Sequence, residues 1–203
     1  MKKLALILTV AAFIFCLGQQ AQAAVIFSDD FNLENGGSGV TNYTGFANWS
    51  VTNGSVDLIG NGYFDFYPGN GLYVDLDGST HSGGTLDSGS VNLSPGDYVL
   101  EFVLGGSARS GSPSDTVRVT FGSLYTEDFT YAYNSGLHSI SRNFSLASAT
   151  SGSLSFQQFG TDNMGLILDN VKLSKVDKVI PEPSSLFFLG TGLLGLAGLK
   201  RKK

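Results

Sequence analysis

From residue 25 to residue 173 the chain runs in short segments of alternating apolar and polar residues, and each segment ends on a turn signal. A period of two sends successive side chains to opposite faces of a strand. Long helix-forming stretches are missing. Val25-Ile26-Phe27 opens the series. Trp49-Ser50-Val51 and Ser55-Val56-Asp57-Leu58 flank Asn53-Gly54, a dipeptide that predicts a hairpin turn. Gly71 to Leu76 alternates and stops at Asp77-Gly78, while residues 85–93 form a weaker segment ending before Pro95-Gly96. Residues 98–104 are the most apolar segment and predict a central strand. Val117, Val119 and Phe121 share one face of the next. Segments at 127–133, 139–144, 152–159 and 166–173 follow. About ten strands at this spacing predict an all-β fold, a two-sheet antiparallel sandwich.

Composition supports a turn-rich β protein and narrows its partners. Glycine alone accounts for 27 of the 203 residues. Residues 24–180 hold six cations against sixteen anions, a net charge of −10. An acidic surface repels the phosphate backbone, so nucleic acid is excluded as a partner. The same surface suits cations and neutral glycans.

Both ends of the chain read as addresses. Met1-Lys2-Lys3 is a positive n-region and residues 4–17 form an apolar h-region. Ala21-Gln22-Ala23 fits the small-x-small cleavage rule and makes Ala24 the first mature residue, so residues 1–23 are expected to be a signal peptide with a helical core. Phe15 before Cys16 argues against a lipoprotein, and removal of the signal leaves the mature chain without cysteine. At the other end come Pro181-Glu182-Pro183, an uncharged apolar run over residues 186–199, and Lys200-Arg201-Lys202-Lys203. An uncharged run can enter a bilayer as a helix, with its basic end held on the cytoplasmic side. Residues 177–203 are therefore read as a linker and tail, and residues 24–176 as one sandwich domain. Gly190-Thr191-Gly192-Leu193-Leu194-Gly195 satisfies the dinucleotide-binding pattern by letter. With no βαβ unit around it, it is assigned to the tail helix.

The tail resembles the PEP-CTERM sorting signal of Gram-negative bacteria. That resemblance implies recognition of Pro181, Glu182 and Pro183 by an exosortase-like membrane protease. It also implies a transient inner-membrane anchor and a final place at the cell surface or in an exopolysaccharide or biofilm matrix. The order of motifs in the body is similar to galactose-binding-like jelly rolls, which include carbohydrate-binding modules. Those motifs are Phe27-Ser28-Asp29-Asp30-Phe31, Trp49-Ser50-Val51, Asp75-Leu76-Asp77-Gly78, residues 98–102 and Leu168-Asp169-Asn170-Val171. The second resemblance implies a structural Ca2+ between the first and last strands, with Asp29 or Asp30 at the first position and Asp169 at the last. Asp75 and Asp77 are further candidates. Each of these acids would equally well end a strand or bond nearby backbone amides.

Sugar recognition needs an exposed aromatic platform with polar groups beside it. If residues 63–67 are extended, Tyr63 and Tyr67 share a wet face with Asp65, and Phe64 and Phe66 face the core. Tyr131, in a group with Tyr125 and Tyr133, is the other candidate platform. Trp49, the single tryptophan, is expected in the core. His81 and His138 sit beside Gly or Ser in expected loops, with no metal-ligand partner at helical spacing. No nucleophile elbow occurs in the body. The expectation is a non-catalytic exported surface or matrix protein. The alternatives are a carbohydrate-binding module for exopolysaccharide and, less favoured, a hydrolase.

Overall fold

The computed structural model describes residues 23–111 and 114–176. The signal segment, the Pro-Glu-Pro tail and the helices expected for them lie outside the described residues. Among those described, no helix is long and apolar enough to cross a membrane.

Among the described residues thirteen strands run in order: β1 Ala23–Asp29, β2 Trp49–Thr52, β3 Asp57–Gly60, β4 Leu72–Asp75, β5 Thr85–Ser88, β6 Val91–Leu93, β7 Gly96–Gly105, β8 Asp115–Phe121, β9 Tyr125–Tyr131, β10 Leu137–Leu146, β11 Thr150–Gly152, β12 Leu154–Gln158 and β13 Ile167–Val176. One sheet has the order β10-β7-β13-β4-β3, with β1 also paired to β13. The second has the order β2-β5-β12-β8-β9, and β6 with β11 makes a small ribbon. All pairings between these strands are antiparallel. This is the expected two-sheet sandwich.

Alternation places the core. Tyr98, Leu100, Phe102 and Leu104 of β7 face Val117, Val119 and Phe121 of β8 and Leu154 and Phe156 of β12, all buried in one cluster. Phe156 lies 5.3 Å from Phe102 and 5.9 Å from Trp49, ring centre to ring centre. Both contacts are edge-on, the arrangement favoured by the ring quadrupole. Trp49 is only 5% exposed, as expected of a core anchor.

The hairpin expected at Asn53-Gly54 does not form. β2 pairs with β5 in one sheet and β3 pairs with β4 in the other, so the turn carries the chain from sheet to sheet. Asn53 does adopt a positive φ of 58°. A Cβ on Gly54 would collide with the carbonyl oxygens of Ser82 and Gly83. The dipeptide is used for a tight passage under a neighbouring loop. The weak segment at 85–93 also divides, into β5 and β6.

β13 changes partner along its length. Ile167 and Leu168 pair with β4, whereas residues 171–176 pair with β1, and β7 follows along the opposite edge. The switch falls at a bulge between Asp169 and Lys172, where Asn170 has φ 51°. One extra residue flips the phase of a strand. Leu168 and then Val171 and Leu173 therefore all reach the core.

Candidate ligand-binding site

The bulge in β13 and the end of β1 open a cavity of about 620 Å³ on the first sheet. Ser28, Asp29 and Asp30 supply one wall. Leu33 and Glu34 come from the turn after β1, and Ala47 and Asn48 from the approach to β2. Glu101 of β7 with Asn170 and Lys172 of β13 complete the lining.

The hydrogen bonds of this wall are mostly internal. Asp29 accepts from the Phe31 amide at 2.8 Å, from Asn48 Nδ2 at 3.1 Å and from the Trp49 indole at 2.9 Å. Its carboxylate thus ties β1 to the core tryptophan. Buried Glu34 takes the Ala47 amide at 2.9 Å. Asp169 receives both the amide and the side-chain Nδ2 of Asn170, at 2.7 and 2.9 Å. At the rim Lys172 pairs with Glu101 at 3.1 Å. Burial pushes the Asp169 carboxyl up to about 7, the Asn170 amide pulls it back, and the charges of Asp30 and Asp29 push it up again.

Asp29, Asp30 and Asp169 therefore do lie near one another, at the junction of the first and last strands. Among the described residues no group of three or more His, Cys, Asp or Glu side chains converges to hold a metal. The fit to calcium is partial. Both oxygens of Asp29 and of Asp169 already accept N–H donors and have few lone pairs left for a metal, whereas Asp30 Oδ2 and the amide oxygens of Asn48 and Asn170 are unengaged. Asp75 and Asp77 are built into the fold instead. Asp75 is 2% exposed, pairs with Arg109 at 2.7 Å and accepts the Gly165 amide. Asp77 is buried and accepts the Asp162 amide. Burial raises the carboxyl pKa of both, well above the ordinary value for Asp75.

The aromatic run is not a strand. Residues 61–71 form a loop that folds over the outer face of the first sheet. There Phe66 and Tyr67 pack on Ile59, Tyr73 and Ile167. The Tyr67 hydroxyl donates to the Gly106 carbonyl at 2.7 Å, and its backbone N–H donates to the Tyr73 hydroxyl at 2.9 Å. Tyr67 is thus a packing residue rather than a platform. The exposed pair is Tyr63 and Phe64, 38% and 57% accessible, packed edge to face at 4.8 Å. Phe64 was expected in the core. It stands in the left-handed region at φ 43°, where a bulky side chain is an outlier. A Cβ on Gly39 would overlap the Tyr63 ring, and Asn61 Nδ2 donates to the Gly37 carbonyl at 3.2 Å. One segment, residues 33–39, therefore lines the cavity with Leu33 and Glu34 and meets Tyr63 of the aromatic pair at Gly39. Tyr131 lies elsewhere, half-buried and stacked on His138 at 4.5 Å. His138 belongs to strand β10 rather than to a loop.

Sequence reasoning missed Leu33, Glu34, Asn48, Glu101, Asn170 and Lys172. The one signal available for them was Asp169-Asn170 interrupting an apolar strand.

The region beyond the sandwich has a recognisable counterpart. Residues 179–202 match the model of the PEP-CTERM protein-sorting motif. The chain carries a PEP-CTERM sorting signal. It is accordingly an exported protein with a membrane-anchoring sorting tail. No curated protein matches the chain. Among solved structures, the CBM22-1 xylan-binding domain of Paenibacillus barcinonensis Xyn10C has a TM-score of 0.50 at 15% identity, covering 79% of this chain and 100% of that one. The K3 adhesin domain of Lys-gingipain from Porphyromonas gingivalis gives 0.45 at 19% identity, covering 75% and 100%. The C-terminal CBM6 of LamC from Zobellia galactanivorans gives 0.43 at 11% identity, covering 68% and 100%. The xylan-binding domain shares the sandwich fold with this chain.

Proposed function

We propose that this protein is a non-catalytic component of the cell surface or extracellular matrix that holds an extracellular polysaccharide on its sandwich after exosortase-type processing of the tail. The observation that carries the reading is an open polar cavity whose flanking segment also meets Tyr63 of an exposed aromatic pair. Hydroxyl-bonding oxygens and amides beside an aromatic face are what a sugar ring requires. The carboxylates of Asp29 and Glu34 spend their oxygens on fixed N–H donors, which suits a wall better than proton transfer.

Retention of the chain on immobilised bacterial exopolysaccharide tests the reading. Tyr63→Ala with Phe64→Ala is expected to cut retention severalfold while leaving the melting temperature near that of the parent. Unchanged retention would reject the surface. Calcium belongs to the proposal only as a stabiliser held by Asp29, Asp30 and Asp169. A ligand that binds the native state alone raises the melting temperature once its concentration passes the dissociation constant. A rise with calcium that Asp169→Ala abolishes is the expected result, and no rise removes calcium from the account.

A further inference from the structure

The cavity beside β13 carries more negative than positive charge, with Asp29, Asp30, Glu34 and Glu101 against Lys172. Several of its N–H donors serve the wall itself. The Phe31 amide, the Trp49 indole and Asn48 Nδ2 all go to Asp29. The Ala47 amide goes to Glu34, and the backbone amide and one Nδ2 hydrogen of Asn170 go to Asp169. The one cation in the lining, Lys172, is held by Glu101. Among the described residues no donor engages Asp30 Oδ2, Asn48 Oδ1 or Asn170 Oδ1. Asp30 Oδ1 accepts only the Asn32 amide, at 3.1 Å. Asp30, Asn48 and Asn170 are all exposed lining residues, so beside the Ser28 hydroxyl and the second Nδ2 hydrogens the cavity offers an occupant unengaged acceptor oxygens and a net negative charge. At the mouth stands Leu33, 92% exposed, an apolar surface for the C–H face of a ring.

From this we propose that the ligand is an amino-glycan with free ammonium groups, such as a partly de-N-acetylated hexosamine polymer. The inference rests on the polysaccharide reading above and narrows it. An ammonium brings three donors and a positive charge to the Asp30 carboxylate and the two amide oxygens. A uronate polymer would bring acceptors and like charge to a wall holding Asp29, Asp30, Glu34 and Glu101 against one lysine. An acetamide offers one donor and no charge. The site therefore selects by the state of the sugar nitrogen.

The test uses the exported chain in mild detergent and measures affinity by calorimetry for oligomers of glucosamine, of N-acetylglucosamine and of galacturonic acid. The glucosamine oligomer is expected to bind about tenfold tighter than its acetylated form, the size of one charge-assisted hydrogen bond at an exposed site. Asp30→Asn should remove that preference. Asp128→Asn takes one charge from the other sheet and controls for attraction to net charge; it should leave affinity unchanged. Equal binding of the amine and acetamide forms would overturn the amine preference and leave the polysaccharide reading standing. Equal loss in Asp30→Asn and Asp128→Asn would overturn it too, since bulk charge would then explain the attraction. Amine binding that calcium displaces completely, with no difference between the two sugars, would assign these oxygens to the metal. Binding of none of the three, together with no retention on exopolysaccharide, would end the polysaccharide reading itself.

Discussion

Two sets of carboxylates lie along β13, on either side of its bulge, and they have been treated in opposite ways. Asp75, hydrogen-bonded next to the start of β13, is sealed and compensated. Arg109 pairs with it, Gly165 and Asp77 donate amides to it, and Phe66 stacks under the guanidinium at 5.3 Å. Asp29 and Asp30 line a cavity beyond the bulge and Asp169 is buried beside them, and none of the three has an arginine or lysine bonded to it among the described residues. The first set holds two loops to a sheet. The second leaves one carboxylate oxygen, Asp30 Oδ2, without a donor at an open surface, and an oxygen of that kind is what a ligand can use. Acidic composition alone says nothing of this division.

The comparison breaks most visibly at Arg109. Arg109→Met should leave the Asp75 carboxylate buried without its cation. A loss of about 3 kcal/mol is expected in urea unfolding, and Asp75→Asn in the same chain should recover part of it. A loss below about 1 kcal/mol would mean that the amides alone compensate Asp75.

Asp169 sharpens the comparison through pH. Its folded-state value of about 7 lies above the ordinary carboxylate value of 3.8. Between those limits the folded chain binds the extra proton, so its contribution to stability is greatest below the lower value and is lost as pH rises toward 7. The melting temperature should fall over that window, and Asp169→Asn should flatten the portion due to this group. An unchanged slope in the variant would show that burial does not raise the Asp169 carboxyl.

The smallest effect is expected at the rim. Lys172 and Glu101 are both more than 40% exposed, so Lys172→Gln should change stability by less than about 0.5 kcal/mol. It should nonetheless tighten the binding of a cationic sugar by removing the wall's own cation. A stability loss above about 1 kcal/mol would make this pair structural.

Much of the sandwich was legible because alternation is local. Residues 98–104 could be recognised as a central strand from their own pattern, and β7 does lie between β10 and β13. The Asn53-Gly54 passage was not legible, since turn chemistry sets a local bend but not which sheet receives the next strand. Tyr67 illustrates the same limit. Its orientation depends on how residues 61–71 fold over Ile59 and Ile167, which are far apart in sequence. For the site, Asp29, Asp30 and Asp169 were placed by resemblance of motifs. Leu33, Asn48 and Glu101 reach the cavity from separate segments, and nothing in their own neighbourhoods marks them.

The position of β13 sets an order in time. It is the last strand of the described residues, yet it lies inside its sheet, bonded to β7 on one side and to β4 and β1 on the other. A chain emerging from a membrane amino end first shows twelve strands before the one that joins them. β1, the earliest to appear, has no partner until the latest arrives, and such distant pairings are slow to form. The sorting motif begins at residue 179, just after β13 ends at Val176. Completion of the sheet and arrival of the tail are thus nearly one event, and the joining strand is out of the membrane only when the sorting motif has reached it.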